Sequence, residues 1–139
     1  MTAEENIATM RRIIQAINDR DLGSIPQFVT LGFVRHDLAG AFREVEGREG
    51  VADFLQLVLK ALPDVRVKVE DIFATENRVA LRVVWEGAHQ GEFQGIVPTG
   101  RKVKLSGINL YRFEEGKIAE AWQLYDVAGF LRQIGALTI

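Results

Sequence analysis

The run KIAEAWQLYD closes on Asp126, and Ile118, Glu120, Trp122, Leu124 and Asp126 share one parity within it. Side chains on a strand point alternately to its two faces, so these five belong together. The spacing predicts that this face turns inward and sets a carboxyl after an indole and a leucine. Apolar surroundings disfavour the charged carboxylate, which raises such a group toward the range useful for moving protons near neutral pH. Asp126 also stands just before VAGFLRQIG, where Asp commonly caps a helix; the two roles can coexist. The chain has two histidines, His36 and His89. His89 keeps the parity of Leu81, Val83, Trp85 and Gly87 if that strand runs on unbroken, and an imidazole there could exchange hydrogen bonds with a substrate oxygen. A satisfied structural histidine is the alternative. His36 adjoins Asp37, but neighbours on a strand face opposite ways, so adjacency alone does not make them a dyad.

Other chemistries are poorly supplied. There is no cysteine, which excludes disulfides, thiolate catalysis and cysteine-based metal clusters. The two histidines lie far apart, with no HxH or HxxxH spacing to suggest a metal site. GIVPTGRK lacks the Lys-Ser/Thr ending of a phosphate loop and leads into a strand instead of a helix. Arg101, Lys102 and Lys104 read as a solvated strand face. Asn109 and Tyr111 share a face of the penultimate strand, and the hairpin at Glu114 to Gly116 decides what they meet. A two-residue turn on Glu115-Gly116 would align Asn109 with Trp122, whereas a three-residue bulged loop would shift it by one.

Helices come first among the elements that must position these groups. Ile7, Met10, Ile14 and Ile17 recur at helical spacing between Ala3 and Arg20. Ser24, Pro26 and Gln27 form a capping-box pattern that predicts a short helix to about Thr30. FVRHD reads as a short extended piece, and Gly47 to Gly50 as a loop. Val51, Phe54, Leu55, Val58 and Leu62 mark a further helix, which Pro63 ends. Then the period changes to two: VRVKVEDIF, RVALRVVWEG, GEFQGIV, RKVKLSGINLYRF and KIAEAWQLYD read as strands joined by hairpins, before a closing helix capped by Gly135. Helices followed by antiparallel strands predict an α+β domain, a single unit over 1–139, whose sheet curls around the helices. The glycines between Trp85 and Leu105 are read as bending that sheet around a pocket.

With 139 residues, 47% hydrophobic and 26% charged, the chain has the composition of a globular domain and not of a disordered one. Its net charge of −2 argues against a general nucleic-acid binder. The N-terminal stretch has no apolar leader and no run approaches the length of a membrane span, so the expectation is a cytoplasmic protein without membrane or nucleic-acid partners.

HQGEFQGIVPTGRKV, GINLYRFEEGKIAEAW, Asp126 and the closing FLRQIG together resemble the SnoaL-like polyketide cyclase (ester cyclase) family of the NTF2-like superfamily. The resemblance runs from the first helix to Gly135 and is densest after His89. It implies an NTF2-like cone with a mostly antiparallel sheet, an internal apolar pocket, a homodimer or higher homo-oligomer, and neither metal nor organic cofactor. It also implies intramolecular aldol ring closure on a small apolar carbonyl or ester compound, with Asp126 as acid/base and His89 beside it. Asn109 would join His89 as an anchor for carbonyl oxygens, and Trp85, Trp122 and Tyr125 would be pocket walls, with only one of Trp122 and Tyr125 facing inward in a regular strand. His36 is a further candidate at the pocket. Ala121 departs from the pattern, since many relatives carry histidine there. Two alternatives stand beside the cyclase: a non-catalytic domain that binds a hydrophobic small molecule or dimerises, and a dehydratase or epoxide hydrolase in which His36-Asp37 or an Arg-Asp pair converges on Asp126.

Overall fold

The structure, a computed structural model, describes residues 1–40, 42 and 44–138. Its first helix, α1 (Ala3–Asn18), begins where Thr2 accepts a hydrogen bond from the Glu5 amide at 3.1 Å, a side-chain cap for an otherwise orphaned donor. Met10, Ile13, Ala16 and Ile17 form its buried stripe, which packs against strands later in the chain. The expected capping box does not form. Instead a 3-10 turn spans Leu22–Phe28, with Ser24 inside it donating to the Asp21 carbonyl at 2.9 Å. The predicted helix end near Thr30 is corrected too, because Val29 already belongs to β1 (Val29–Asp37). A short β2 (Val45–Glu46) precedes α2 (Gly50–Ala61), which stops ahead of Pro63 as expected.

Four long strands follow: β3 (Arg66–Ala74), β4 (Arg78–Ala88), β5 (Lys102–Glu114) and β6 (Lys117–Tyr125), then α3 (Val127–Gln133). The sheet order is β2-β1-β6-β5-β4-β3. All neighbours are antiparallel except β1 and β6, so the architecture is the expected α+β with a mostly antiparallel sheet. Among the described residues no helix is long and apolar enough to cross a membrane.

The predicted strand GEFQGIV is instead part of the loop between β4 and β5. Gln94 and Gly95 both take positive φ (45° and 86°), and the chain folds back so that Phe93 and Ile96 exchange backbone hydrogen bonds of 3.1 and 2.8 Å. The mirror-image turn consumes residues that a strand would have extended. Gly91 fastens this loop to α2: a Cβ there would sit 1.7 Å from the Lys60 carbonyl oxygen, so only glycine allows the approach.

The β5–β6 hairpin settles the register by a combination of both expected alternatives. Glu115 and Gly116 form a two-residue turn with φ of 49° and 79°, pairing Glu114 with Lys117. Ala119 then bulges, since Phe113 faces Ile118 while Arg112 faces Glu120. One extra residue reverses which side chains point inward from there on. Asn109 therefore faces Gln123, not Trp122.

Candidate active site

A cavity of about 80 Å³ lies between α1, α2 and the inner sheet face. Its walls are mostly apolar: Met10, Ile13 and Ile17 from α1, Leu55 from α2, Leu81 and Val83 from β4. Ile14, Val51 and Phe54, the lining residues that remain partly exposed, sit on α1 and α2, so the cavity opens between those helices. Against the sheet lies a polar group of Arg35, Asn109, Tyr111, Gln123 and Tyr125, every one of them buried.

The hydrogen bonds among these residues have a definite direction. Arg35 Nε donates to Gln123 Oε1. Gln123 Nε2 donates to the Tyr111 hydroxyl at 3.0 Å, and Asn109 Nδ2 donates to the hydroxyls of Tyr111 and Tyr125 at 3.3 and 3.2 Å. A phenol oxygen can accept twice and donate once. Tyr111 is thus filled as an acceptor, and among the described residues neither tyrosine O–H has an acceptor. Burial, then the neighbouring Tyr125, raises Tyr111; burial also raises Tyr125, against the hydrogen bond from Asn109. Both are neutral phenols at physiological pH, suited to donating and unsuited to acting as bases. Burial lowers Arg35, offset in part by Tyr125, Asp37 and Tyr111, and arginine nevertheless stays cationic. Its guanidinium lies 3.8 Å from the centre of the Phe54 ring, a contact that favours the cation.

Gly107 makes room for this arrangement. A Cβ at Gly107 would approach the Tyr125 ring to 2.5 Å, so a bare backbone lets that ring lie across β5. Trp85 meets the ring edge-on, centroids 6.4 Å apart.

Trp85, Asn109 and Tyr125 line the cavity; His36, His89, Trp122 and Asp126 do not. The inward placement expected for Asp126, Trp122 and Leu124 is overturned by the Ala119 bulge, which turns Glu120, Trp122 and Leu124 to the outer face and Ala121, Gln123 and Tyr125 inward. Asp126 is exposed and accepts from the Gly129 amide at 2.8 Å, capping α3. His89 is fully buried past the end of β4, where its Nδ1 accepts from the Thr99 amide at 3.2 Å and pins the loop. Asp37 accepts from the amides of Phe42 and Ala39, so neither it nor His36 converges on Asp126.

His36 sits on the outer face, stacked on Trp122 with centroids 5.7 Å apart. Its Nε2 meets Glu120 at 2.7 Å and its Nδ1 meets Glu44 at 3.1 Å. Those hydrogen bonds, Glu120 first, hold His36 above its ordinary value, and the same contact holds Glu120 below its own. A histidine raised in the folded state stabilises below its unfolded pKa of about 6.5 and stops doing so as pH climbs through its folded one. A depressed glutamate stabilises above its unfolded pKa of about 4.3 and loses that contribution on acidification. The stability difference between wild type and His36→Gln is accordingly expected to peak near pH 5 to 6 and shrink on either side, roughly as those two titrations dictate. Urea unfolding across pH measures it, and a pH-independent difference would contradict it.

Arg35, Tyr111 and Gln123 are absent from the site expected on sequence. Arg35 carried a signal, since it shares the parity of Phe33 within a strand. Gln123 carried none, because the bulge that turns it inward leaves no mark in the alternation.

The comparisons with known proteins fit this architecture. The family model for SnoaL-like polyketide cyclases matches residues 7–134. Aklanonic acid methyl ester cyclase AcmA of Streptomyces galilaeus is 29% identical over 133 residues, covering 94% of this chain and 91% of its own. DnrD of Streptomyces peucetius, named for the same activity, is 27% identical, covering 93% of this chain and 90% of its own. Among solved structures, AclR of Streptomyces galilaeus, a proposed hydroxylase, superposes with a TM-score of 0.88 at 31% identity, covering 99% of this chain and 89% of that one. IdmH of Streptomyces antibioticus, a proposed polyketide cyclase, gives 0.82 at 30%, covering 94% and 98%. From α1 to the end of α3 the same pattern and the same NTF2-like cone recur, and the chain belongs to the SnoaL-like polyketide cyclase family.

Proposed function

We propose that the protein closes a ring on a polyketide ester by intramolecular aldol addition, with the reacting oxygens held against Tyr111 and Tyr125. The observation that carries this reading is the direction of the buried hydrogen bonds, which leaves two neutral O–H donors at a cavity wall. Aldol closure develops negative charge on oxygen twice, first on the enolate and then on the alkoxide from the attacked carbonyl. Fixed donors in a water-poor site stabilise such charge without reorganising. The apolar walls hold the two reacting carbons together, which removes much of the entropic barrier. Among the described lining residues there is no carboxylate or imidazole; a carbon-bound proton flanked by two carbonyls is acidic enough to leave to water at the mouth once the enolate is held, and water there returns a proton to the alkoxide, which becomes the product hydroxyl. The cavity is narrower than the roughly 300 Å³ of a typical ligand site, so a multi-ring substrate enters with Phe54 displaced from Arg35.

The test is mass and absorbance analysis of products from methyl esters of anthraquinone polyketide acids. Closure alters the absorbance and leaves the molecular formula unchanged, whereas the hydroxylation proposed for AclR adds an oxygen atom. The same assay examines Asp126. Asparagine caps helices as well as aspartate does, so Asp126→Asn is expected to keep its melting temperature and to stay within about threefold of wild-type turnover. A fall of roughly a hundredfold or more, the usual effect of losing an acid/base group, would return Asp126 to the mechanism. A ligand bound but recovered unchanged under all conditions would favour a binding domain.

The proposal extends to a homodimer through the outer sheet face. Ile108, Leu110 and Leu124 are 65%, 41% and 48% exposed there, and Phe73 lies on the same face at 69%. An apolar, twofold-compatible patch of this kind favours association of like copies. Light scattering at micromolar concentration is expected to return at least twice the chain mass, and a monomer's mass would refute the pairing.

A further inference from the structure

Asn109 is 2% exposed, lines the cavity, and its Oδ1 has no hydrogen-bond partner among the described residues. Its Nδ2 is committed to two phenol oxygens, which fixes the amide and leaves the carbonyl end as a bare acceptor. A buried acceptor without a partner costs free energy that a ligand donor can recover. The adjoining phenols offer the opposite polarity, two donors. We infer that the site reads a protonated and an unprotonated oxygen together: a hydroxyl or enol donates to Asn109 Oδ1 while a carbonyl oxygen of the same ligand accepts from Tyr111 or Tyr125.

The ligand class that follows is an aromatic or enolised ketone carrying a nearby free hydroxyl. An O-methylated or deoxygenated analogue leaves Asn109 Oδ1 desolvated and unmatched, so the site discriminates against it; Asn109 is a specificity-determining residue. This inference rests on the cavity being the ligand site, as in the proposed function, but does not depend on ring closure.

The probes are acetophenone, its ortho- and meta-hydroxy derivatives, and the corresponding fluoro compounds, which are close to hydrogen in size yet cannot donate. Binding is followed by Trp85 fluorescence and by calorimetry. Wild type is expected to bind at least one hydroxy isomer about tenfold or more tightly than its fluoro partner and the parent ketone. Asn109→Leu, folded by circular dichroism, is expected to bring all the probes within about twofold of one another. Equal binding of hydroxy and fluoro probes by wild type overturns the inference whether or not the variant folds, as does selectivity that survives in Asn109→Leu. Hydroxyl selectivity without turnover of any polyketide ester would keep this inference and refute the cyclase reading; turnover without selectivity would do the reverse.

Discussion

Replacing Tyr111 and Tyr125 together by phenylalanine is expected to lower kcat for a polyketide ester by roughly a hundredfold or more, the scale set by removing donors from an oxyanion site. Each single variant should retain more activity than the double, because the remaining O–H still reaches the developing charge. Substrate affinity should change less than kcat, since the apolar walls are intact and the donors bind the ground-state carbonyl more weakly than the charge that develops during reaction. Stopped-flow absorbance separates the two quantities, and near-ultraviolet circular dichroism checks that Asn109, deprived of its acceptors, has not disturbed the core. A double variant within about threefold of wild type would remove the phenols from the mechanism.

Gln123→Leu is expected to cost about 3 kcal/mol or more of stability. The side chain joins a buried cation to a buried phenol: its carbonyl accepts from Arg35 and its amide donates to Tyr111. Leucine is a bond shorter and offers neither group, so Arg35 loses that acceptor and Tyr111 loses that donor at a buried position. The resulting fall in the urea midpoint should exceed that of any surface substitution in the same strand, Leu124→Gln being the natural comparison. Equal midpoints for the two would show that the Arg35–Gln123–Tyr111 chain contributes little.

The elements were legible because their periodicities are clean. Met10 and Ile17, the Val51–Leu62 face ended by Pro63, and the alternation in RVALRVVWEG each predict what forms. The candidate site was legible only in part. Trp85, Asn109 and Tyr125 reach the cavity, yet Asp126 and Trp122 fall outside it because alternation was extrapolated through a residue at which it breaks. His89 fell outside for a different reason: its strand ends at Ala88 and its ring is used by Thr99. Arg35 shares the parity of Phe33, but that signal is outweighed because a charge in a short strand reads as solvent-facing until the partner that shelters it is known.

Ala119 makes β6 sensitive to count more than to content. Ile118 on one side of it and Gln123 on the other both reach the cavity, which is possible only because an odd residue lies between the two stretches. Exchanging Ala119 for another small residue leaves that phase intact. Deleting it would rotate the remainder of the strand by one step, carrying Trp122 and Leu124 into the interior and Gln123 and Tyr125 out to solvent. The number of residues separating Asn109 from Gln123 is therefore itself part of the site, so insertions and deletions in this hairpin should be far less tolerated than substitutions.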